Sequence, residues 1–203
     1  LTLAFQGIGR PSRGTARTMA ENLGRGAVVR LGGELVRVPA AWHTRRIDLG
    51  AGPVSCVTIP WGDVFTAHHT TGIPDIEVLM AAPPSTRRLL TASRWLGPLL
   101  RSAPVQALLE RAVDRQPPGP TAEERARGES LVWGRVEDDA GGAVEARLRT
   151  PEGYTTTVAT ALLIAGRVLD EPPEPGYHTP AGLYGPDLVL EVEGVEREDV
   201  RDN

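Results

Sequence analysis

The stretch Ile59-Pro60-Trp61-Gly62-Asp63-Val64-Phe65-Thr66-Ala67-His68-His69-Thr70-Thr71-Gly72-Ile73-Pro74 decides how this chain is read. It carries two of the four His and one of the four Trp, together with a carboxylate, three Thr and a Pro near each end. An apolar run at residues 54–59 leads into it, and a second run with strand character, residues 76–80, leads out. Trp61-Gly62-Asp63 reads as a turn, with Asp63 placed to cap a short helix running through His68. A polar segment held between two apolar strands is the usual setting of a binding or catalytic loop on a rigid scaffold.

Outward toward the N-terminus, residues 45–49 read as a strand, and residues 27–30 and 34–38 as a hairpin around Leu31-Gly32-Gly33. A helix is expected over residues 12–23, where Ala16, Met19, Ala20 and Leu23 share one face between Ser12 as N-cap and Gly24 beyond the C-terminus. Residues 1–5 read as a strand. The chain opens in mid-strand without Met, as a piece of a longer protein would.

Toward the C-terminus, the Leu/Arg-rich residues 84–115 are interrupted by Gly97-Pro98 and Pro104, which predicts two or three short helices. After the stiff connector Gln116 to Pro120, Thr121 and Glu124 form a capping-box pattern. Residues 130–137 and 143–149 read as a second hairpin. Residues 154–169 are the clearest helix, with Val158, Ala161, Leu162, Ala165, Val168 and Leu169 on one face. A proline-rich linker begins at Glu171. Hairpins interleaved with helices predict an α+β fold, a mixed and largely antiparallel sheet with helices packed on it, rather than an alternating βα parallel fold. Residues 1–170 are expected to form the domain, and residues 171–203 a linker and tail.

Composition narrows the chemistry. With 203 residues, 40% hydrophobic and only 4% aromatic, the chain can bury a core in which aliphatic and alanine packing dominates. A net charge of −4 argues against non-specific nucleic-acid binding. The single Cys56 excludes an intramolecular disulfide and a cysteine-based zinc site, and favours a reducing cytoplasm. All 22 basic residues are Arg, so no Schiff-base lysine exists in the chain. No apolar run approaches the ~18 residues of a membrane span.

Several polar groups are candidates. Gly7-Ile8-Gly9-Arg10-Pro11-Ser12 invites a dinucleotide-loop reading, but it lacks the third glycine, Pro11 removes a donor, and Arg30 stands where the ribose-binding acid belongs. It reads first as an ordinary strand-to-helix turn, and in a softer version Ser12, Arg13 and the free N–H groups at the helix start hold a substrate carboxylate or phosphate. Trp61, Asp63, Thr70 and Thr71 can line a pocket, Asp63 as acceptor of a hydrogen bond or proton; equally, Asp63 caps its helix and Trp61 packs. Adjacent His68 and His69 diverge, and no further His or Cys falls at metal-ligand spacing, so one imidazole lining a cleft, His69, is the better reading. His178, after the proline linker, is a candidate proton donor. A Cys56 or Ser nucleophile with His68 or His69 would make a hydrolase, although Cys56 sits in an apolar strand and reads first as an inert thiol. Arg87, Arg94 and Arg101 recur among leucines; this pattern reads first as a solvated face over a core, and also fits a membrane surface or a lipid-like substrate.

Pro60-Trp61-Gly62-Asp63 followed by Thr70-Thr71-Gly72-Ile73-Pro74-Asp75-Ile76 resembles the second domain of bacterial saccharopine dehydrogenase-like oxidoreductases, a group that includes trans-acting enoyl reductases. Residues 9–15, Thr150-Pro151-Glu152-Gly153-Tyr154, Thr179-Pro180 and Gly185-Pro186 follow the same order, so the resemblance covers nearly the whole chain. It implies a substrate and dimerisation domain whose partner Rossmann domain, carried outside this chain, binds NAD or NADP. No cofactor is then expected on this chain alone, and Gly7 to Ser12 is not the nucleotide loop. The implied partners are a small-molecule or lipid-like substrate and a second copy in a homodimer. The absence of Lys departs from the lysine-forming members. A non-enzymatic dimerisation or ligand-binding module is the other reading.

Overall fold

The computed structural model describes residues 1–7 and 9–200. Ile8 of the glycine-rich loop and residues 201–203 of the expected tail lie outside the described residues. The chain runs β1 (Thr2–Gln6), α1 (Arg13–Asn22), β2 (Ala27–Leu31), β3 (Glu34–Val38), β4 (Thr44–Asp48), β5 (Pro53–Thr58), α2 (Asp63–Thr71), β6 (Glu77–Ala81), α3 (Pro84–Leu100) and α4 (Ala103–Asp114). It continues through α5 (Ala122–Arg127), β7 (Glu129–Glu137), β8 (Ala143–Pro151), α6 (Gly153–Asp170), α7 (Pro180–Tyr184), a 3-10 turn at Pro186–Glu191, and β9 (Glu196–Val200).

Seven strands form one sheet in the order β4-β5-β6-β1-β7-β8-β9, and β2 and β3 form a separate hairpin. Among the described residues only β1 and β6 pair in parallel, with Thr2 opposite Glu77 and Phe5 opposite Met80. The fold is therefore α+β with a largely antiparallel sheet. The hairpin is tied down where Arg30 and Ile76 exchange backbone hydrogen bonds of 2.9 Å.

The two faces of the sheet are buried differently. On one, Ala4, Ile47, Leu49, Cys56, Leu79, Leu131 and Trp133 come from strands and the turn after β4, with no helix among them. The sheet curls over this cluster, bringing β8 to β4 so that Arg147 Nε donates to the Asp48 carbonyl at 3.1 Å. On the other, Val57, Ile59, Ile76 and Val78 pack with Val64 of α2 and Leu90 of α3. No helix among the described residues is long and apolar enough to cross a membrane.

Four local expectations are corrected. Asp63 does not cap its helix: α2 begins at Asp63 itself, Gly62 is the N-cap with no side-chain bond, and the helix runs past His68 to Thr71. Gly97-Pro98 does not break α3, which is one helix of 17 residues; Pro98 is exposed, so its ring meets solvent while the missing donor costs one rung. The face of α6 expected to be buried is not: Val158, Leu162 and Leu169 are 59%, 69% and 81% exposed. Nor is the stretch after residue 170 a free tail, because β9 pairs antiparallel with β8 from Arg149↔Glu196 to Glu145↔Val200. A periodic pattern fixes that a helix forms but not which neighbour it meets.

Candidate functional site

A cavity of about 350 Å³ opens on the helix-bearing face of the sheet, over the central strands. Leu3 and Phe5 of β1, Val78 of β6 and Val132 of β7 line it. These are the residues whose side chains alternate onto that face of the pleat. Thr15 of α1, Trp61 and Asp63 at the start of α2, and Glu152, Gly153, Tyr154 and Thr157 at the start of α6 complete it, with Gln6 and Ser130.

Each polar member is held by its local structure. Trp61 leans on Phe5 with ring centroids 5.0 Å apart at 46°. Burial pushes the Asp63 carboxyl above its ordinary range, and the bond to its own backbone N–H only partly opposes this. Glu152 is the N-cap of α6: its Oε2 accepts from the N–H groups of Tyr154 and Thr155 at 3.0 and 3.1 Å. Among the described residues, its other oxygen, Oε1, is buried without a hydrogen-bond partner, as is Gln6 Oε1. The Tyr154 phenol oxygen accepts from the Ser12 backbone N–H at 2.7 Å and lies 3.0 Å from Thr15 Oγ1. Burial raises that phenol, and the bonds from Ser12 and Thr15 outweigh it, so it ends below its ordinary range.

The residues named from the sequence do not converge on one place. Trp61 and Asp63 line the cavity. Ser12 borders it through Tyr154, but the first turn of α1 is already occupied: Ser12 Oγ accepts from Thr15 N at 3.2 Å, and Arg13 N donates to the Pro118 carbonyl at 3.1 Å. The Arg13 guanidinium turns away to the Gln116 carbonyl. The other end of α2 is a seam. Thr70 Oγ1 bonds Thr179 Oγ1 at 2.6 Å, and His69 meets the Tyr177 ring edge-on at 4.7 Å, so both hold the C-terminal segment. Thr71 bonds back to the Ala67 carbonyl and His68 to the Ile73 carbonyl, closing the helix end. His178 is exposed, bonded to the Glu174 carbonyl.

Gln6, Thr15, Ser130, Glu152, Tyr154 and Thr157 were not among the sequence candidates. Glu152-Gly153-Tyr154 lies in a motif that carried the family resemblance, and an acidic residue just ahead of a helix signals an N-cap; nothing local shows that it borders the same space as Asp63. A second buried cluster was also missed. Glu77, 8% exposed, accepts from Thr58 Oγ1 at 2.6 Å and Arg45 at 3.0 Å, and lies 2.9 Å from His43 Nδ1. It bolts β4 and β5 to β6. Cys56 is fully buried and burial pushes its thiol up to about 11, which removes the thiol version of a hydrolase.

An apolar floor with acceptors at its rim suits a ligand with an apolar body and a polar end. Asp63 is set to carry a proton nearer neutrality than a free carboxyl would, and Tyr154 has an O–H to donate once its oxygen is occupied by Ser12. By fold the chain is an α+β protein. Neither a protein-family model nor a curated protein matches its sequence.

Proposed function

We propose that the chain is the substrate-binding half of a saccharopine dehydrogenase-like oxidoreductase of the cytoplasm. NAD or NADP is held by a nucleotide-binding domain outside these residues, and a small-molecule or lipid-like substrate enters the cavity over β1. The nicotinamide supplies the hydride; this half orients the substrate and meets developing charge with Asp63 and Tyr154. The observation that carries the reading is the apolar cavity walled by Trp61 with the half-buried Asp63 beside it. Three donors at the start of α1 being spent within the chain agrees with a nucleotide held elsewhere. The exposed face of α6, which has no charged residue from Gly153 to Gly166, is the surface offered for a homodimer.

The test is ligand binding by the chain as it stands, read by tryptophan fluorescence and calorimetry. Octan-2-one, a carbonyl-bearing lipid-like probe, is expected to saturate one site, and Trp61→Ala and Asp63→Asn each to weaken it by about threefold to tenfold. NADPH is expected not to bind at micromolar concentration. Saturable NADPH binding, or octan-2-one binding indifferent to both substitutions, overturns the reading.

A further inference from the structure

Helix α3 buries one leucine against the core, Leu90, and otherwise little of its bulk. Its fully buried positions are Ser93 and Gly97, among the smallest residues it has. A Cβ on Gly97 would stand 3.0 Å from the Gly24 carbonyl, so the small side chain is what lets the helix lie against that loop. The bulk points the other way: Trp95 is 86% exposed, Leu99 58%, Leu89 56% and Leu96 47%. Arg88, Ala92, Trp95 and Leu99 follow the i, i+4, i+7, i+11 spacing of one helical stripe, with Leu89 and Leu96 along its flank. Single exposed leucines are ordinary, but three exposed leucines grouped around a tryptophan on one helix are not.

The charge around the stripe has one sign. From Val78 to Leu109 the chain has no Asp or Glu, while it carries Arg87, Arg88, Arg94 and Arg101, although the whole protein has 26 acidic residues against 22 basic. Arg94 is committed to the carbonyls of Ala40 and Ala41. Among the described residues Arg87, Arg88 and Arg101 form no ion pair.

We propose that the outer face of α3 docks on an anionic lipid bilayer, with Trp95, Leu99 and the flanking leucines entering the interface, Arg88 on the same stripe meeting lipid phosphates, and Arg101, the exposed C-cap, reaching them from the helix end. A tryptophan is suited to that depth, since its ring is apolar and its N–H finds headgroup or water, and arginine stems lie along the apolar boundary while their heads stay wet. A bilayer also accepts a convex stripe without needing a shaped groove. A protein partner would have to match both the stripe and the carboxylate-free flanks. The cavity over β1 has no part in this contact, so the two sites are tested separately.

Flotation of the whole chain with vesicles decides the matter. Vesicles of phosphatidylcholine mixed with an equal part of phosphatidylglycerol are expected to bind the protein about tenfold or more tightly than phosphatidylcholine alone, the preference shrinking as salt is raised. Tryptophan emission should shift to the blue on binding. Trp95→Ala with Leu99→Ser should abolish flotation and the shift, and Arg88→Gln with Arg101→Gln should remove the preference for the anionic vesicles. All four side chains are exposed, so each double variant is expected to keep the wild-type Tm and circular dichroism. No flotation with either vesicle overturns the proposal. So does a concentration-dependent dimer that Trp95→Ala dissolves while vesicles stay unbound, which would assign the stripe to self-contact.

Discussion

Asp63 shows how one residue can satisfy two opposing rules. As the first residue of α2 its charge is favoured by the helix dipole, by about 0.3–1 kcal/mol at such positions. Burial against the cavity works the other way and prevails, holding the carboxyl above its ordinary range. The folded protein therefore keeps this proton to a higher pH than the unfolded chain does. Stability from this group is fully present below the ordinary carboxylate range and is lost as pH rises through the raised value. Asp48 and Glu124 run in the opposite sense: backbone N–H groups of their turns hold them low, and their contributions fade as pH falls. The difference between wild type and Asp63→Asn isolates the single group. The variant is expected to melt above wild type at neutral pH, with the gap closing below about pH 4. Thermal scans across that range check it, and a variant that melts lower than wild type at neutral pH would count against a buried, protonation-favouring site.

Between residues and the whole, Gly7 at the end of β1 is the glycine most closely hemmed in among the described residues. Gly7 has φ +103, and a Cβ there would stand 2.2 Å from the Glu129 carbonyl and 2.7 Å from Ser130 Cα. Both strain and overlap act against any side chain, so Gly7→Ala is expected to cost about 2 kcal/mol or more and to lower Tm by about 4–8 °C. A melting point within a degree of wild type would mean that β1 and β7 are not held this closely. Elements whose signals are local were legible. The capping box of α5 is present in full, Thr121 Oγ1 accepting from Glu124 N at 3.1 Å and Glu124 Oε2 from Thr121 N at 2.7 Å. The Gly32-Gly33 hairpin and the Ser12 cap are also where the residues put them. What could not be read was direction. Residues 154–169 repeat apolar positions as a buried helix would, yet α6 has no buried residue and Val158, Leu162 and Leu169 face solvent, because burial is decided by the neighbour and not by the period.

At the scale of the molecule, the sheet depends on its last strand. β9 covers the outer edge of β8, and Leu188 and Val192 just before it are buried. Ending the chain at Asp170 would bare the hydrogen-bonding edge of β8 and remove those two apolar contacts. The truncated protein is expected to melt at least about 10 °C lower and to aggregate on heating, the usual fate of an uncovered edge. Size-exclusion chromatography and thermal scans test this, and a truncated monomer of unchanged Tm would show the segment after residue 170 to be dispensable. The same strand explains why a proline-rich linker misleads. Pro172, Pro173 and Pro175 stop a helix and stiffen the chain, but they say nothing of whether the chain returns.

The sequence by itself determined most of the helices, the two glycine-turned hairpins and the α+β class, since these rest on periodicity, caps and turns written within a few residues of one another. It also marked Trp61 and Asp63, whose crowding with other polar groups is visible in one dimension. Only the tertiary structure brought Asp63 together with Glu152 and Tyr154, turned His69 and Thr70 to the C-terminal segment, and left the bulk of α3 facing outward. Those outcomes depend on which surfaces meet when strands far apart in the chain pair, and that pairing is set by the packing of the whole core and by no single stretch of it.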